Sequence, residues 1–375
     1  MNAVFKLLRR ASLVLGLLLV VGALTAADRT REFTKTINKQ FNIPADGLVD
    51  LDNRYGKINV KTWDNKAVRI SVRIVVEAAS ESDAREVFDR ITIDFYNSAS
   101  AVGATTEIAS KSSSWWSWGN DKDDFSINYE VFMPATANLE VDAKYCDVYT
   151  MPLSGEANLN IKYGNLRAEG FTEDCQLKLA YGNGNISRVR DLKLELSYGN
   201  LEVGEAGDII AKIAYGNLDV EQAGDIIAET RYSNFKLGAI RELRNEGKYD
   251  NIDIASADEI ICETHYTSVS VGRLARRGNL DMAYGSAKIR QIETTIDEIT
   301  LNGRYTDFKL HLQPSVACSL DVSGRYTDIR LPSAMQRNYD VKDGSSHEVR
   351  GTLGRGGKAL VRARLDYGGL LVAKN

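Results

Sequence analysis

The sequence predicts an all-β chain: a right-handed single-stranded β-helix, or β-solenoid, with about 17–21 residues per coil, an N-terminal β-rich module containing one short helix, and a C-terminal cap. The first observation is a tyrosine that recurs eleven times from Tyr145 to Tyr326 at spacings of 17 to 21 residues. A fixed period of this length is typical of a solenoid. The second observation is that apolar residues alternate with period two on both sides of each tyrosine, which is the pattern of strands.

Each repeat is predicted to consist of a strand, a corner, a second strand and a return turn. Around Tyr198, for example, Leu194 and Leu196 precede the corner, and Leu201 and Val203 follow it. Most of the tyrosines are followed by a small residue and then by Asn, Ser or Asp. We expect Gly to supply backbone freedom at the corner and Asn to tolerate left-handed backbone angles there. The Gly-Asn-Gly-Asn run at 182–185 delays the next apolar residue, so a local bulge is expected there.

Stacked coils would align equivalent residues into columns about 4.8 Å apart. The tyrosines are expected to pack in the core or at the corner, and an asparagine column can bond amide to amide along the axis. The predicted structural ladder comprises Tyr163, Asn165, Tyr181, Asn183, Tyr198, Asn200, Tyr215, Asn217, Tyr232, Asn234, Tyr249 and Asn251.

Four segments are predicted along the chain: 1–27, a signal peptide; 28–138, an N-terminal β-rich capping module with a Trp-rich loop at 98–124; 139–335, the solenoid; and 336–375, a capping hairpin with the last coil. Within the N-terminal module, Tyr55 marks one early coil, and Ser80 to Arg90 is predicted to be a helix with a serine cap. At the C-terminus, the hairpin and a coil around Tyr367 are expected to cover the last open strand edges.

The N-terminus is typical of an export signal. Lys6, Arg9 and Arg10 precede the apolar run from Ala11 to Leu24, and small residues at 25–27 form a cleavage site. The apolar run is shorter than the roughly 20 residues that a transmembrane helix needs. We therefore expect an exported mature chain that begins near Asp28, has no transmembrane segment, and resides in the periplasm or on the outer cell surface.

Charge and cysteine content exclude several classes of function. The formal net charge is -4 and the basic residues are interspersed with acidic ones, which argues against a nucleic-acid partner. The four cysteines, Cys146, Cys175, Cys262 and Cys318, are expected to be free buried thiols because distant coils cannot bring their Cα atoms within the roughly 7 Å that a disulfide requires. The three histidines lack metal-ligand spacing, so no metal site and no cofactor are predicted.

One pair of carboxylates raises an enzymatic alternative. Asp307 and Asp328 occupy equivalent corners of successive tyrosine repeats, as carboxylates do in β-helical enzymes that cleave polysaccharides. Two such groups could share a proton or hold a cation. The simpler interpretation is that Arg304 and Arg325 neutralise them on the surface. Since the coils carry no long excursions that would wall a cleft, we predict no catalytic residues.

The loop at 98–124 holds Trp115, Trp116 and Trp118 in an otherwise polar stretch. An exposed aromatic cluster marks an interaction surface, so these residues are candidate binding residues. The alternative is that the indoles fold back as a lid on the solenoid.

The segments Phe33 to Phe41, Asn53 to Trp63 and Val131 to Pro134, followed by serial Tyr-Gly-Asn units, resemble the bacterial "putative adhesin" family of β-strand-repeat proteins of unknown function. The resemblance extends over most of residues 30–375. It implies a single-stranded β-helix in a Gram-negative envelope, encoded in some cases near sigma and anti-sigma regulators, and it supplies no catalytic residues.

Together these observations predict a non-enzymatic exported envelope protein that serves as a scaffold or as an adhesin-like binding protein, with an envelope glycan or a surface protein as its partner. Two alternatives stay open at this stage: a polysaccharide-active β-helix enzyme, and a periplasmic component of a sigma/anti-sigma sensing system.

Overall fold

The computed structural model describes residues 30–110, 124–355 and 357–374. The described part of the chain is almost all β: 76% of its residues lie in strands, and it contains one helix. The predicted all-β class is therefore confirmed. The elements in the first half are β1 (Arg31–Asn42), β2 (Leu48–Trp63), β3 (Ala67–Ala78), α1 (Glu81–Arg90), β4 (Ile91–Asn97), β5 (Ala101–Ile108), β6 (Asp124–Pro134), β7 (Asn138–Thr150), β8 (Ala157–Lys162), β9 (Leu166–Ala168), β10 (Cys175–Ala180) and β11 (Asn183–Val189).

The second half contains longer strands, because β15 to β18 continue through the return turn, and β18, β19, β20 and β23 continue through the tyrosine corner. The elements are β12 (Leu192–Ser197), β13 (Asn200–Ala206), β14 (Ile209–Ala214), β15 (Asn217–Arg231), β16 (Asn234–Lys248), β17 (Asn251–His265), β18 (Ser268–Ile292), β19 (Glu298–Leu312), β20 (Cys318–Arg330), β21 (Gln336–Asp343), β22 (Ser346–Leu353) and β23 (Ala359–Lys374).

From β7 to β18, each repeat unit pairs in parallel with the unit before it and the unit after it. In β12 and β14, for instance, Leu192 pairs with Ile209 and Leu196 with Ile213, an offset of 17 residues. Within a strand the burial alternates, so the apolar residues of every unit point to one side. They join a single apolar core that runs the length of the repeat region. The regular offset is what brings residues of the same kind into columns.

The N-terminal module covers the first repeat unit. β1, β3 and β6 form an antiparallel sheet, and β6 pairs in parallel with β2, which carries Tyr55. Helix α1 begins after Ser80, whose hydroxyl accepts a hydrogen bond from the Asp83 amide, and its Val87 is buried against the core. The predicted helix and its serine cap are confirmed.

The bulge expected after Tyr181 is wrong. β11 stays in register with both neighbours, pairing Gly184 with Leu201 and Ile186 with Val203. Gly184 occupies the inward position that other units give to an aliphatic side chain. A Cβ there would lie 2.6 Å from Leu201 Cδ1. The neighbouring leucines therefore fill the space that the missing side chain leaves.

The middle units hold a buried polar cluster beside the apolar core. The carboxylate of Asp250, only 2% exposed, accepts hydrogen bonds from the Thr230 hydroxyl at 2.7 Å and the Ser233 amide at 2.8 Å. Burial raises the pKa of Asp250, while these hydrogen bonds oppose the shift. Gly247 lies against the same cluster, because a Cβ on it would meet Thr230 Oγ1 at 2.2 Å.

The C-terminal segment departs from sequence order. The predicted hairpin forms from β21 and β22, and β22 pairs antiparallel with β20. The last strand, β23, does not add to the end of the stack. It inserts in parallel between β19 and β20, pairing Leu370 with both Phe308 and Ile329. The unit around Tyr367 is therefore the penultimate unit in space, although it comes last in the sequence.

No helix among the described residues is long and apolar enough to cross a membrane. The predicted signal peptide at 1–27 lies outside the described residues.

Candidate binding face: the tyrosine column and the asparagine ladder

One tyrosine from each repeat unit enters a continuous stack of rings, which we call the tyrosine column. Adjacent ring centroids lie 4.7–5.1 Å apart and adjacent ring planes differ by 1–13°. The order in space is Tyr55, Tyr145, Tyr163, Tyr181, Tyr198, Tyr215, Tyr232, Tyr249, Tyr266, Tyr284, Tyr305, Tyr367 and Tyr326.

These rings were expected to pack in the core or at the corner. They lie at the corner, outside the apolar core. Each tyrosine of the column is 38–60% exposed. The ring faces cover one another, so solvent meets mainly ring edges and hydroxyls. Stacked aromatic pairs contribute roughly 0.5–1.5 kcal/mol beyond the area that they bury. The column is thus a surface ridge with one phenol per unit.

The backbone at the column is strained. All thirteen tyrosines have positive φ, between 52° and 61°, and among the described residues they are the only non-glycine residues with positive φ. The left-handed conformation costs an L-residue with a side chain roughly 1–2 kcal/mol, and for a bulky residue it is an outlier. The expectation that the following Gly or Asn adopts the left-handed conformation is therefore wrong.

In several units the glycine after the tyrosine approaches the neighbouring corner closely. A Cβ on Gly164 would lie 1.9 Å from the carbonyl oxygen of Cys146, and one on Gly182 would lie 1.9 Å from that of Gly164. Successive corners therefore touch backbone to backbone. Where the position holds Ser233, Asp250 or Thr267, the side chain is buried.

Beside the column runs a row of amides, which we call the asparagine ladder. Asn200 Nδ2 donates to Asn183 Oδ1 at 2.6 Å, and Asn217 donates to Asn200 at 2.5 Å. In the same way, Asn234 donates to Asn217 at 2.7 Å, and Asn251 donates to Asn234 at 2.9 Å. The ladder ends at a carboxylate. Both the backbone N–H and the side-chain Nδ2 of Asn165 donate to Asp147 Oδ1. From Ser268 onwards, shorter or charged residues occupy this row.

A shallow groove lies between the column and the ladder. It is lined by Asp147 and by residues of four consecutive corners, Tyr163, Gly164, Asn165, Tyr181, Gly182, Asn183, Tyr198, Gly199, Asn200 and Tyr215. A second groove follows the other side of the ladder, where Asn185 donates to Glu202 at 3.3 Å. Phenol edges and side-chain amides thus repeat along the axis with little net charge, and the glycines between them are buried or half-buried.

Asp307 and Asp328, the carboxylates of the enzymatic alternative, are not on adjacent units. Because β23 inserts between β19 and β20, Gly369 pairs with both aspartates and separates them. Asp328 forms an ion pair with Arg330 at 2.7 Å, and Arg325 pairs with Asp366 at 3.0 Å. The expected neutralisation of Asp328 by Arg325 is therefore wrong, and the two carboxylates do not share one site.

All four cysteines are free and buried, as the sequence predicted. Burial raises the pKa of Cys146, Cys175 and Cys262 to about 12 and that of Cys318 to about 11. Such thiols stay protonated near neutral pH and are poor nucleophiles. Within residues 30–110, 124–355 and 357–374, no cluster of three or more His, Cys, Asp or Glu side chains could hold a metal ion.

The candidate tryptophans, Trp115, Trp116 and Trp118, lie outside the described residues. The structure brings the predicted tyrosines and asparagines together on one face. Two further members of the column, Tyr55 and Tyr367, carry the same Tyr-Gly motif as the repeats, and that motif is the signal that identifies them.

No family model and no curated protein matches the chain. Among solved structures, a putative adhesin from Parabacteroides distasonis has 12% sequence identity and a TM-score of 0.29, covering 90% of this chain and 97% of its own. A putative adhesin from Parabacteroides merdae has 14% identity and a TM-score of 0.29, covering 74% and 92%. A putative cell adhesion protein from Clostridium sporogenes has 7% identity and a TM-score of 0.19, covering 92% and 100%.

These descriptions match the family that the sequence motifs predicted. At such identities and TM-scores, the likeness supports no conclusion about what this chain binds.

Proposed function

We propose that this chain is a non-enzymatic, exported protein of the Gram-negative cell envelope that binds an extended, uncharged envelope glycan along the tyrosine column and the asparagine ladder. The repeat units act as a rigid scaffold that presents this face.

The scaffold is, by our inference, a single-stranded β-helix in which each repeat unit is one coil. The support is the pairing pattern: residues 17 apart in sequence pair in parallel from Leu192 onwards, and the offset rises to 21 between Arg277 and Glu298. In a solenoid of this kind each unit contacts only its neighbouring units. The stack presents a long regular surface rather than an enclosed pocket.

The main support for the proposal is that the backbone is strained at tyrosines whose side chains are exposed. Thirteen tyrosines hold left-handed backbone angles, while their side chains lie on the surface and add nothing to the apolar core. Strained positions persist where the surrounding structure enforces them, and they cluster at functional sites. A surface ridge whose backbone conformation costs free energy in every unit fits a binding role better than a packing role.

The chemistry of the face favours an extended polymer. Because the ring faces are stacked on one another, an incoming sugar ring cannot stack on them within the column. It can meet phenol hydroxyls, ring edges and asparagine amides, which recur once per unit. A neutral glycan lying along the axis offers hydroxyl groups that donate to and accept from such groups. The open, shallow groove suits a chain that passes through it.

The cellular location rests on the sequence. The basic, apolar and small-residue regions at 1–27 form an export signal, so the mature chain is placed in the periplasm or on the outer surface.

The test is a binding array of neutral envelope polysaccharides, run with the purified mature chain beside an assay for depolymerisation. We expect retention of a neutral polysaccharide without release of shorter products. The Asn200→Ala and Asn217→Ala double variant should bind at least tenfold more weakly, since it removes the middle of the ladder. Release of shorter glycans by the wild-type chain would refute the non-enzymatic proposal.

The matched control is the Ser268→Ala and Ser286→Ala double variant. These serines hold the position of the ladder asparagines in units that have no asparagine there. Its binding should equal that of the wild type. Thermal unfolding of both variants establishes that the fold is intact. Unchanged binding in the asparagine variant would place the glycan elsewhere, and equal loss in both variants would refute a specific role of the ladder.

A further inference from the structure

The last repeat unit is covered over only half of its length. The hairpin strand β22 pairs with β20 from Cys318 to Arg325, and the Tyr326 amide donates to the Ser345 carbonyl at 2.8 Å. From Thr327 to Arg330, β20 pairs with β23 on its inner side, and no described strand pairs with its outer side. The outer N–H and C=O groups of this segment thus form an open strand edge.

The side chains at this edge are uncovered as well. Tyr326 is 60% exposed, the largest exposure in the column, because no ring covers its outer face. Ile329 and Leu331 are only half-buried. The residues at the same positions of the two units beneath, Phe308 and Leu310 in β19 and Leu370 and Val372 in β23, are at most 2% exposed.

The opposite end of the column is closed. The ring of Tyr55 packs edge-to-face against Phe125 at 5.7 Å, and β6 pairs with the strand that follows Tyr55. The opening is therefore particular to the C-terminal end.

Strand β23 shows what fits such an edge. It reaches the stack out of sequence order and adds one ring, Tyr367, between Tyr305 and Tyr326. Leu370 and Val372 fill the two apolar positions, and the backbone pairs in parallel on both sides. A strand that is not the next repeat in sequence can therefore complete a unit, provided that it has a tyrosine followed by apolar residues at the third and fifth positions.

We propose that the open edge from Tyr326 to Leu331 binds an extended polypeptide segment of a partner protein by parallel strand addition. The partner places an aromatic ring on Tyr326 and apolar side chains over Ile329 and Leu331, and its backbone pairs with Thr327 to Arg330. Strand addition to an open edge is a general mode of peptide recognition, in which main-chain hydrogen bonds supply affinity and side-chain pockets supply specificity.

Two observations favour a polypeptide over a sugar ring at this end. A sugar could stack on Tyr326, but it would leave the open backbone groups and the two apolar positions without partners. The edge of β21 is also unpaired on one side among the described strands, yet all eight of its residues are exposed, so it offers no apolar position for a partner. Of these two edges at the C-terminal end, only that of β20 combines an aromatic ring, unpaired backbone groups and half-buried apolar positions.

The test uses a synthetic peptide with the sequence of residues 366–373, labelled with a fluorophore, and the full mature chain. We expect saturable 1:1 binding by fluorescence anisotropy, with new protection from hydrogen exchange confined to 327–331. Replacing the peptide's tyrosine by alanine should weaken binding about tenfold, since the ring contact is then lost. Tyr326→Gly in the protein should weaken it similarly.

The decisive variant is Ile329→Lys, which places a charge on a half-exposed apolar position and should abolish peptide binding. Ile210→Lys is the matched control: it makes the same change at a residue that is 55% exposed on another face, and it should bind as the wild type does. Unaltered thermal unfolding shows that both variants are folded.

Three results would overturn the proposal. The first is binding that Ile329→Lys leaves unchanged. The second is altered exchange in β23 in place of 327–331, which would mean that the peptide displaces the molecule's own strand. The third is protection of 327–331 that rises with protein concentration and excludes the peptide, which would make a second copy of the chain the occupant.

Discussion

The middle of the tyrosine column and its C-terminal end use the same unit in different ways. In the middle, Tyr198, Tyr215 and Tyr232 are neighbours both in sequence and in space. At the end, Tyr367 comes between Tyr305 and Tyr326, and the outermost unit is covered over half its length. A local repeat rule therefore suffices for the middle, whereas the end depends on a contact between distant parts of the chain.

The largest expected effect comes from removing that distant contact. Deletion of residues 359–375 takes away β23, whose pairing joins β19 to β20, together with the ion pairs of Arg325 with Asp366 and of Arg364 with Asp321. We expect hydrogen exchange to show loss of protection in β19 to β22, while units before Tyr284 stay protected, because stacked repeat units depend mainly on their neighbours.

A point substitution can test the same idea. A Cβ on Gly368 would meet the carbonyl oxygen of Thr306 at 2.1 Å, so Gly368→Val should expel β23 and reproduce the loss. Val341→Ala, at an exposed position of the hairpin, is the control. Loss of protection throughout the repeat region would show that the middle also depends on the end.

The next effect compares one ring in the middle with the ring at the end. Tyr215→Ala removes two stacking contacts and should cost about 1–3 kcal/mol in the free energy of unfolding, whereas Tyr326→Ala removes one and should cost about 0.5–1.5 kcal/mol. Urea denaturation measures both. A cost at Tyr326 greater than at Tyr215 would contradict the assignment of the two positions.

The strain at the column can be measured in the same way. Tyr215→Gly loses the same ring as Tyr215→Ala but accommodates a φ of 56° without a steric penalty. It should therefore be about 1 kcal/mol more stable than the alanine variant. Equal stabilities would mean that the backbone relaxes when the ring is removed.

A smaller effect is expected in the asparagine ladder. Asn217 both donates to Asn200 and accepts from Asn234 on the surface, so Asn217→Ala should cost about 0.5–1.5 kcal/mol. Ser286→Ala, at the equivalent position towards the end, should change stability by less than about 0.5 kcal/mol. Lys212→Ala breaks only an exposed ion pair with Glu229 and serves as a second reference.

The finest test is the pH dependence of the buried cluster in the middle. Since burial raises the pKa of Asp250 above its usual value, the folded state binds a proton more tightly than the unfolded state does. The stability that this carboxyl contributes is present at low pH and is lost as the pH rises from about 4 through the raised pKa. The stability of the wild type relative to Asp250→Asn should therefore fall with rising pH in urea denaturation. A relative stability that rises with pH would contradict the raised pKa.

Much of the architecture could be predicted from local pattern. The spacing of the tyrosines and the alternation around them predicted the strands, the corner positions and the columns, because each unit repeats the same local instructions. Helix α1 and the hairpin were likewise predictable, since a serine cap and a Gly-containing turn are short-range signals. The free state of the cysteines followed from the period alone.

Several features of the candidate face could not be read in this way. The exposure of Tyr215 depends on which side of the corner faces the core. The alternation of apolar residues shows which residues share a face, but not the direction in which a residue at the corner points. The left-handed angle at each tyrosine contradicts its intrinsic preference, and it is enforced by the contacts between stacked corners. The register at Gly184 was mispredicted because neighbouring leucines, rather than a bulge, occupy the space.

The amino-acid sequence by itself determined the repeating unit: its strands, its corner, and the side chains that form the core, the tyrosine column and the asparagine ladder. Only the tertiary structure decided the order of units at the C-terminal end. The motif at Tyr367 is locally equivalent to that at Tyr326, so no short-range signal distinguishes the last position from the penultimate one. Pairing of β23 with two strands instead of one, together with its ion pairs to β20, favours the inserted position, and it leaves the outer edge of β20 open.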